Sequence, residues 1–478
     1  MTLSANFEIG AIIVAAIHML GFFSAAEALY LTRTAQGAIA WGLSLVIFPY
    51  IAVPLYLVFG RSRFRGYKKL RIKFHKIYST DLANHKKSFS QLRTPSLLED
   101  HSVERTFEAI SGTQFVSSNS IRLLIDGDEI FASIFEAIRR AENYVLIQFF
   151  IVRDDRIGKE LRDCLIERAK AGVKIHFIYD EIGSKDLSHA YLQSLREFGI
   201  EIFPFETRQG WNNFFQFNFR NHRKILVVDG KVAFVGGLNV GDEYLRREKE
   251  FGEWRDTHVE IMGPALISIQ SIFFSDWLWA TGKQTTIDWK NAKKAGSVEI
   301  LSIASGPADE RETCALFFSE AIRVAKERIW ISSPYFVPDE AVIRELQLAA
   351  LRGVDVRLIL PKKSDHFLVG LASLFYLCEI SSFGVKVFQY YKGFLHQKVL
   401  LIDQNLAAVG TANLDNRSFR LNFEIMILAS DQKFNSQVAE MLERDMTNCA
   451  QLKNMEFGEF PLWQRLSAKF ARLFAPIL

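Results

Sequence analysis

Four cysteines in 478 residues are too few and too scattered to build a disulfide framework or a thiolate metal centre. Cys164, Cys314, Cys378 and Cys449 stand far apart, with no Cys-x-x-Cys and no histidine at ligand spacing. They read as buried or free thiols of a reducing compartment, and no metal site is expected. A phosphate-cradling P-loop and a dinucleotide glycine fingerprint are also missing, which sets aside the common nucleotide-dependent classes. Glycine (28) and proline (11) stand at ordinary levels, so the chain is folded rather than low-complexity. No charge interrupts residues 38–59, and no acid interrupts the basic series Arg61, Arg63, Arg65, Lys68, Lys69, Arg71, Lys73 and Lys76.

What the chain does have is one polar motif written twice, His-x-Lys-x4-Asp. The first copy is His222, Lys224 and Asp229; the second is His396, Lys398 and Asp403. Asn239 lies ten residues past Asp229, and Asn413 lies ten past Asp403, each after a small-residue turn, Gly236-Gly237 or Gly410-Thr411. One His-x-Lys carries little information. The matched set points to two homologous halves sharing a site.

Each motif opens a short apolar run, Ile225–Val228 or Val399–Ile402, that reads as a buried strand. Strand side chains alternate between faces, so His and Lys two residues apart point the same way. A turn and a second apolar run follow, and pairing of the two runs in a hairpin would return each Asn to its His. The repeat continues upstream. Glu136–Arg139 recurs as Glu320–Arg323, offset by 184, whereas the histidines are offset by 174, so the second half has shorter loops. The first half reads helix Asp128–Ala141, strand Tyr144–Val152, helix Gly158–Ala171 and strand Val173–Tyr179. That alternation predicts an α/β fold of two halves, each a mixed, mainly parallel sheet flanked by helices and preceded by two transmembrane helices.

Two histidines beside a bound anion can divide covalent catalysis, one attacking phosphorus while the other moves protons. Lys224 and Lys398 would bind non-bridging oxygens, and Asn239 and Asn413 would donate hydrogen bonds to them. Each imidazole needs an acceptor on its other nitrogen. Glu424, on the predicted strand after the second motif, and Asp256, its counterpart in the first half, are the candidate orienting acids. Asp229 and Asp403 belong to the motif but end their strands, and they read as supporting turn residues.

Residues 1–60 form a predicted membrane hairpin with spans of about 9–29 and 38–59, since each run approaches the ~20 apolar residues a bilayer requires. His18 and Glu27 interrupt the first run, with His18 expected to face the second helix and Glu27 to lie at the interface. A basic linker follows at 61–118, then halves at 119–290 and 291–450 and an amphipathic tail at 451–478. The basic series predicts that the catalytic region faces the cytoplasm, and it would also favour anionic lipid. In the tail, Trp463, Leu466, Phe470, Leu473 and Phe474 fall on one helical face with Arg465, Lys469 and Arg472 on another. This suits an interfacial helix or one packed on the catalytic body.

The doubled motif resembles the signature of the phospholipase D superfamily, and its bacterial cardiolipin synthase branch is the nearer match. The likeness extends through Gln36–Trp41, Tyr56–Arg61, Trp254–His258, Ser305–Pro307, Ser333–Pro338, Ser364–His366 and Gly393–His396, effectively the whole chain. It implies a double displacement without metal or other cofactor in a multi-pass protein of the bacterial inner membrane. One phosphatidylglycerol forms a phosphatidyl-histidine and loses glycerol, and a second displaces the histidine to give cardiolipin. The resemblance implies His222 as nucleophile and His396 as general acid/base, although the sequence symmetry alone is equally compatible with the reverse. The implied partners are phosphatidylglycerol, other anionic phospholipids and the bilayer; no nucleic acid is expected, and a homo-oligomer is compatible. A phospholipase D-type phosphodiesterase, a membrane-bound nuclease and a non-enzymatic scaffold are the alternatives left open. The nuclease lacks a clear set of interleaved basic and stacking aromatic residues.

Overall fold

The computed structural model describes residues 2–60, 64–78, 101–208, 216, 218–245, 252–285, 293–452 and 455–478. Arg61 and Arg63 of the basic series, and part of the stretch between Gly241 and Phe251, lie outside the described residues. The chain divides into two compact units, 1–69 with 206–219 and 307–309, and the remainder.

The smaller unit is built on Thr2–Leu31, the one described helix long and apolar enough to cross a bilayer. The second apolar run is not one helix. Ala35–Ile47 is capped by the Thr34 hydroxyl, Phe48 leaves helical geometry, and Pro49 begins a new helix, Pro49–Leu55, ending in a wide turn over Tyr56–Gly60. Proline suits a first helical turn but not an interior, so the run breaks at the residue before it. The pieces still pack. Ala25, Ala28, Leu45, Ala52, Val53 and Tyr56 form a common core. Gly21 lets two backbones meet, because a Cβ there would sit 2.4 Å from the Leu45 carbonyl oxygen. His18 faces this second run, with Nε2 3.1 Å from the Tyr50 hydroxyl. Ile12, Phe22, Phe23, Ile39 and Ile51 point outward, apolar and exposed.

The larger unit contains a single 16-stranded sheet with approximate two-fold order about its centre. There Val116–Ile125 and Val298–Ser305 pair antiparallel, one from the start of each half. Outward through the first half follow Thr257–Met262, Val232–Gly236, Ile225–Val228, Tyr144–Phe149, Lys174–Asp180 and Glu201–Phe205. Outward through the second follow Asn422–Ser430, Leu406–Gly410, Val399–Ile402, Arg328–Ser332, Asp355–Pro361 and Lys386–Tyr390, with Cys449–Leu452 at the edge.

The sheet is mixed, but the expectation of a mainly parallel one is corrected. Among the described residues, the parallel pairs of this sheet are the three strands joined by helical crossovers in each half and one short pair between the halves. The motif hairpins and the central strands are antiparallel. Buried strands show continuous apolar runs in either orientation, so the pattern did not separate them. The halves also share one sheet rather than owning one each. A further helix and strand stand before each motif, His189–Arg196 with Glu201–Phe205, and Phe367–Ser381 with Lys386–Tyr390. The segment expected as a linker contains helices Arg65–Ile77 and His101–Ser111. Of the cysteines, Cys164, Cys314 and Cys378 are buried, Cys449 is half-buried, and all four are free.

Candidate active site

Each motif folds as the hairpin register requires. Ile225 pairs with Val235, and Val399 pairs with Val409, so each return strand ends just before its Asn. Asp229 and Asp403 sit at the strand end remote from their histidines, in the left-handed region at φ 53° and 48°, where Asp is among the better-tolerated residues. The Asp229 carboxylate accepts from the backbone N–H of Glu142, Asn143 and Tyr144 at 2.7–2.9 Å. Asp403 does the same for Lys326, Glu327 and Arg328. Their oxygens are committed to fixing the start of the neighbouring strand.

The two halves support each other's histidine. Arg220-Asn221, directly before His222, pairs in parallel with Asn422-Phe423 of the second half, and the His222 N–H donates to the Phe423 carbonyl at 3.0 Å. Gly393–Leu395, before His396, pairs with Glu253–Arg255 of the first half, and the His396 N–H donates to the Arg255 carbonyl at 2.8 Å. These short pairings set each imidazole against the acid of the opposite half. His222 Nδ1 lies 2.9 Å from both oxygens of Glu424, and His396 Nδ1 lies 2.8 Å from Asp256 Oδ2. Nδ1 is thus engaged by a carboxylate in each ring, and the ring atom turned from the acid is Nε2.

The acids are themselves held. Glu424 accepts from the Thr411 hydroxyl, from the Ser418 hydroxyl at 2.9 Å and from Asn422 Nδ2 at 3.3 Å. Asp256 accepts from the Thr257 N–H at 2.8 Å. Glycine is required at 237, because a Cβ there would sit 2.2 Å from Asp256 Oδ1; at the matching position of the second half, Thr411 supplies its hydroxyl to Glu424. Behind this layer lie two buried arginine–aspartate pairs. Arg223 meets both Asp276 oxygens at 2.8 Å and donates to the Glu424 carbonyl at 3.1 Å. Arg255 meets Asp445 at 2.7 and 3.0 Å and donates to the Asp256 carbonyl at 2.7 Å. Gln397, in the place of Arg223, bridges Asp445, Ser332 and Thr257.

The lysines lie inside this frame. Lys224 Nζ donates to the His222 carbonyl at 2.7 Å, and Lys398 Nζ donates to the His396 carbonyl while lying 3.0 Å from the ring nitrogens. Asn239 is held by the Ile151 N–H at 3.1 Å and donates to the Tyr244 hydroxyl at 3.0 Å. Asn413 donates to Asp415 at 3.2 Å, and its buried Oδ1 is unpartnered. Aromatic rings wall the histidines: Phe150 lies 5.1 Å from His222, and Trp254 lies 5.2 Å from His396.

Burial dominates the electrostatics. It pushes both imidazoles down to about 4 against the pull of Glu424 and Asp256, and Lys224 and Lys398 both push the same way in each. Each histidine is thus shifted partly by the lysine of the other half. Burial likewise brings Lys398 down to about 8 and Lys224 well below its ordinary value. For Asp256 and Glu424 burial acts upward, but the hydrogen bonds and charges of their histidines prevail and hold both carboxyls below the usual range.

Sequence reasoning did not find Arg223, Asp276, Arg255, Gln397, Asp445, Thr411 or Ser418. Asp276 alone carried a legible signal, as the single charge in the otherwise uncharged helix Leu266–Thr281.

Comparison with known proteins places this arrangement. The family described as cardiolipin synthase, PLD-like domain, matches twice, over residues 134–263 and 318–446. Cardiolipin synthase A of Pseudomonas fluorescens is 46% identical over 470 residues, covering 98% of both chains. The protein of the same name from Pseudomonas syringae pv. syringae is 46% identical over 465 residues, covering 97% of each. Among solved structures, phosphatidylserine synthase of Haemophilus influenzae superposes with a TM-score of 0.62 at 16% identity, over 79% of this chain and all of that one. This last likeness is one of fold.

Proposed function

The chain belongs to the cardiolipin synthase family of phospholipase D-like phosphatidyltransferases, and from that premise we propose how its site makes cardiolipin. The observation carrying the proposal is the crossed pair of buried imidazole–carboxylate couples, in which each half supplies the acid for the other half's histidine. Phosphatidylglycerol binds with its non-bridging oxygens on Lys224, Lys398, Asn239 and Asn413. His222 Nε2, neutral and held by Glu424, attacks phosphorus. His396, supported by Asp256, protonates the departing glycerol oxygen. The terminal hydroxyl of a second phosphatidylglycerol then gives its proton to His396 and displaces His222, releasing cardiolipin. The lysines and amides stabilise the five-coordinate phosphorus. The aromatic walls, with burial, limit competition from water.

The N-terminal helix fits a membrane enzyme. We further propose that residues 35–60 form a second, broken span and that the catalytic unit faces the cytoplasm. The asymmetry of basic residues supports this orientation. A C-terminal reporter active only in the periplasm should remain silent.

The test of the chemistry is an acid quench with acyl-labelled phosphatidylglycerol. His222→Ala should retain no label, whereas His396→Ala should acquire it slowly and fail to turn over, since proton transfer contributes about 10²–10⁴-fold. Label on His222→Ala and none on His396→Ala would reverse the roles.

A further inference from the structure

We propose that the C-terminal helix Leu462–Arg472 docks its outer face into an anionic lipid surface, so that the catalytic unit has its own bilayer contact. The proposal rests on the lipid-transferase reading of the site. The helix packs inside out. Its small residues Ala468 and Ala471 are buried, with Ala475 just beyond, while Trp463, Leu466, Phe470 and Leu473 are 59–74% exposed. Those four share one side of the helix and form a continuous apolar stripe. A protein bathed only in water has no use for its largest apolar side chains on that side.

The flanks identify the occupant. Arg465, Lys469 and Arg472 border the stripe, and the helix contains no acid. Lys469 Nζ lies over the Phe457 ring at 6.0 Å and the Arg472 guanidinium over Phe375 at 4.2 Å, so both charges rest against rings of the protein surface. An apolar face with basic borders and an interfacial Trp suits anionic headgroups above acyl chains. A second copy of the same face would set like charges against each other. The neighbouring helix Phe367–Ser381 adds exposed Phe367 and Leu368, preceded by exposed Lys362 and Lys363.

The residues just past the helix connect to the active-site frame. The carbonyls of Ile477 and Leu478, just past the helix, accept from Arg417 at 3.1 and 3.0 Å. Its neighbour Ser418 donates to Glu424, the acid that holds His222. The end of the helix is thereby tied, through Arg417 and Ser418, to the residues that hold Glu424.

The experiment uses the full-length protein in vesicles. An environment-sensitive fluorophore on Phe470→Cys, in a Cys449→Ser background, should emit to the blue and be quenched by spin-labelled acyl chains. The effect should be stronger with phosphatidylglycerol than with phosphatidylcholine vesicles. The pair Leu466→Asp with Phe470→Asp should lower transfer from long-chain phosphatidylglycerol in bilayers roughly tenfold, while sparing dispersed short-chain phosphatidylglycerol. A water-exposed probe, equal loss on both substrates, or efficient cross-linking of Phe470→Cys between copies would overturn the proposal. If the wild type turns over neither substrate, the transferase reading fails, and the fluorescence still decides whether the helix docks.

Discussion

Replacing Glu424 should disable the histidine of the other half, and this separates a crossed site from two self-contained ones. Glu424 is fully buried and holds His222 Nδ1 at 2.9 Å, and Asp256 is equally buried and holds His396 Nδ1 at 2.8 Å. Glu424→Gln and Asp256→Asn keep shape but remove the charge that fixes the tautomer and supports a positive ring. A hydrogen bond to a charged group contributes about 1.5–3 kcal/mol, corresponding to roughly 10- to 100-fold in the step concerned. With His222 as nucleophile, Glu424→Gln should slow formation of the protein-bound lipid by that factor. Asp256→Asn should let the adduct accumulate and slow its transfer to the second lipid. The assay is rapid acid quench with labelled phosphatidylglycerol, measuring protein-bound label and cardiolipin separately and locating the label by peptide mapping. If the label sits on His222 and Glu424→Gln affects only adduct breakdown, the crossed support is refuted.

Three further outcomes are expected. Burial brings Lys398 down to about 8, so it is charged below that pH and loses phosphate-binding charge as pH rises through it. kcat/KM should fall on that alkaline limb, and Lys398→Arg should move the limb upward; an unchanged limb in initial-rate profiles would contradict this. Asp229→Asn keeps a residue tolerant of its positive φ but weakens three backbone hydrogen bonds. It should lower the melting temperature in detergent with activity per folded molecule within about threefold, since net hydrogen bonds contribute about 1 kcal/mol each; full stability with lost activity would restore a catalytic role. Gly237→Ala puts a methyl group 2.2 Å from Asp256 Oδ1 and should cost about tenfold or more in turnover with an unchanged circular dichroism spectrum, because small displacements in a catalytic couple are costly.

The parts legible in the sequence were local ones. The His-x-Lys spacing, the hairpin register and the turn role of Asp229 and Asp403 follow from alternation along single strands. The first helices and strands of the first half fall within a few residues of their expected bounds. What stayed hidden depends on contacts distant in sequence. Arg220-Asn221 and Gly393–Leu395 pair over two or three residues, too short for any periodic signal, yet they decide which acid meets which histidine. One buried arginine–aspartate pair joins helix residue Asp276 to the motif wild card Arg223, the other joins helix residue Asp445 to Arg255 outside the motif, and only Asp276 stood out by isolation. Pro49 was a readable breaker inside the second apolar run, outweighed there by the uniform hydropathy around it. The exposed apolar stripe of the last helix was visible as periodicity, but its outward direction became clear only once Ala468 and Ala471 were seen buried.

The central claim, that two half-sites form one phosphatidyl-transfer centre, is tested most directly by product analysis. Purified full-length protein in detergent, given phosphatidylglycerol labelled separately in its acyl chains and its terminal glycerol, should yield cardiolipin and one free glycerol per cardiolipin, with EDTA present or absent. Phosphatidic acid as the sole lipid product, or turnover abolished by EDTA, would contradict it.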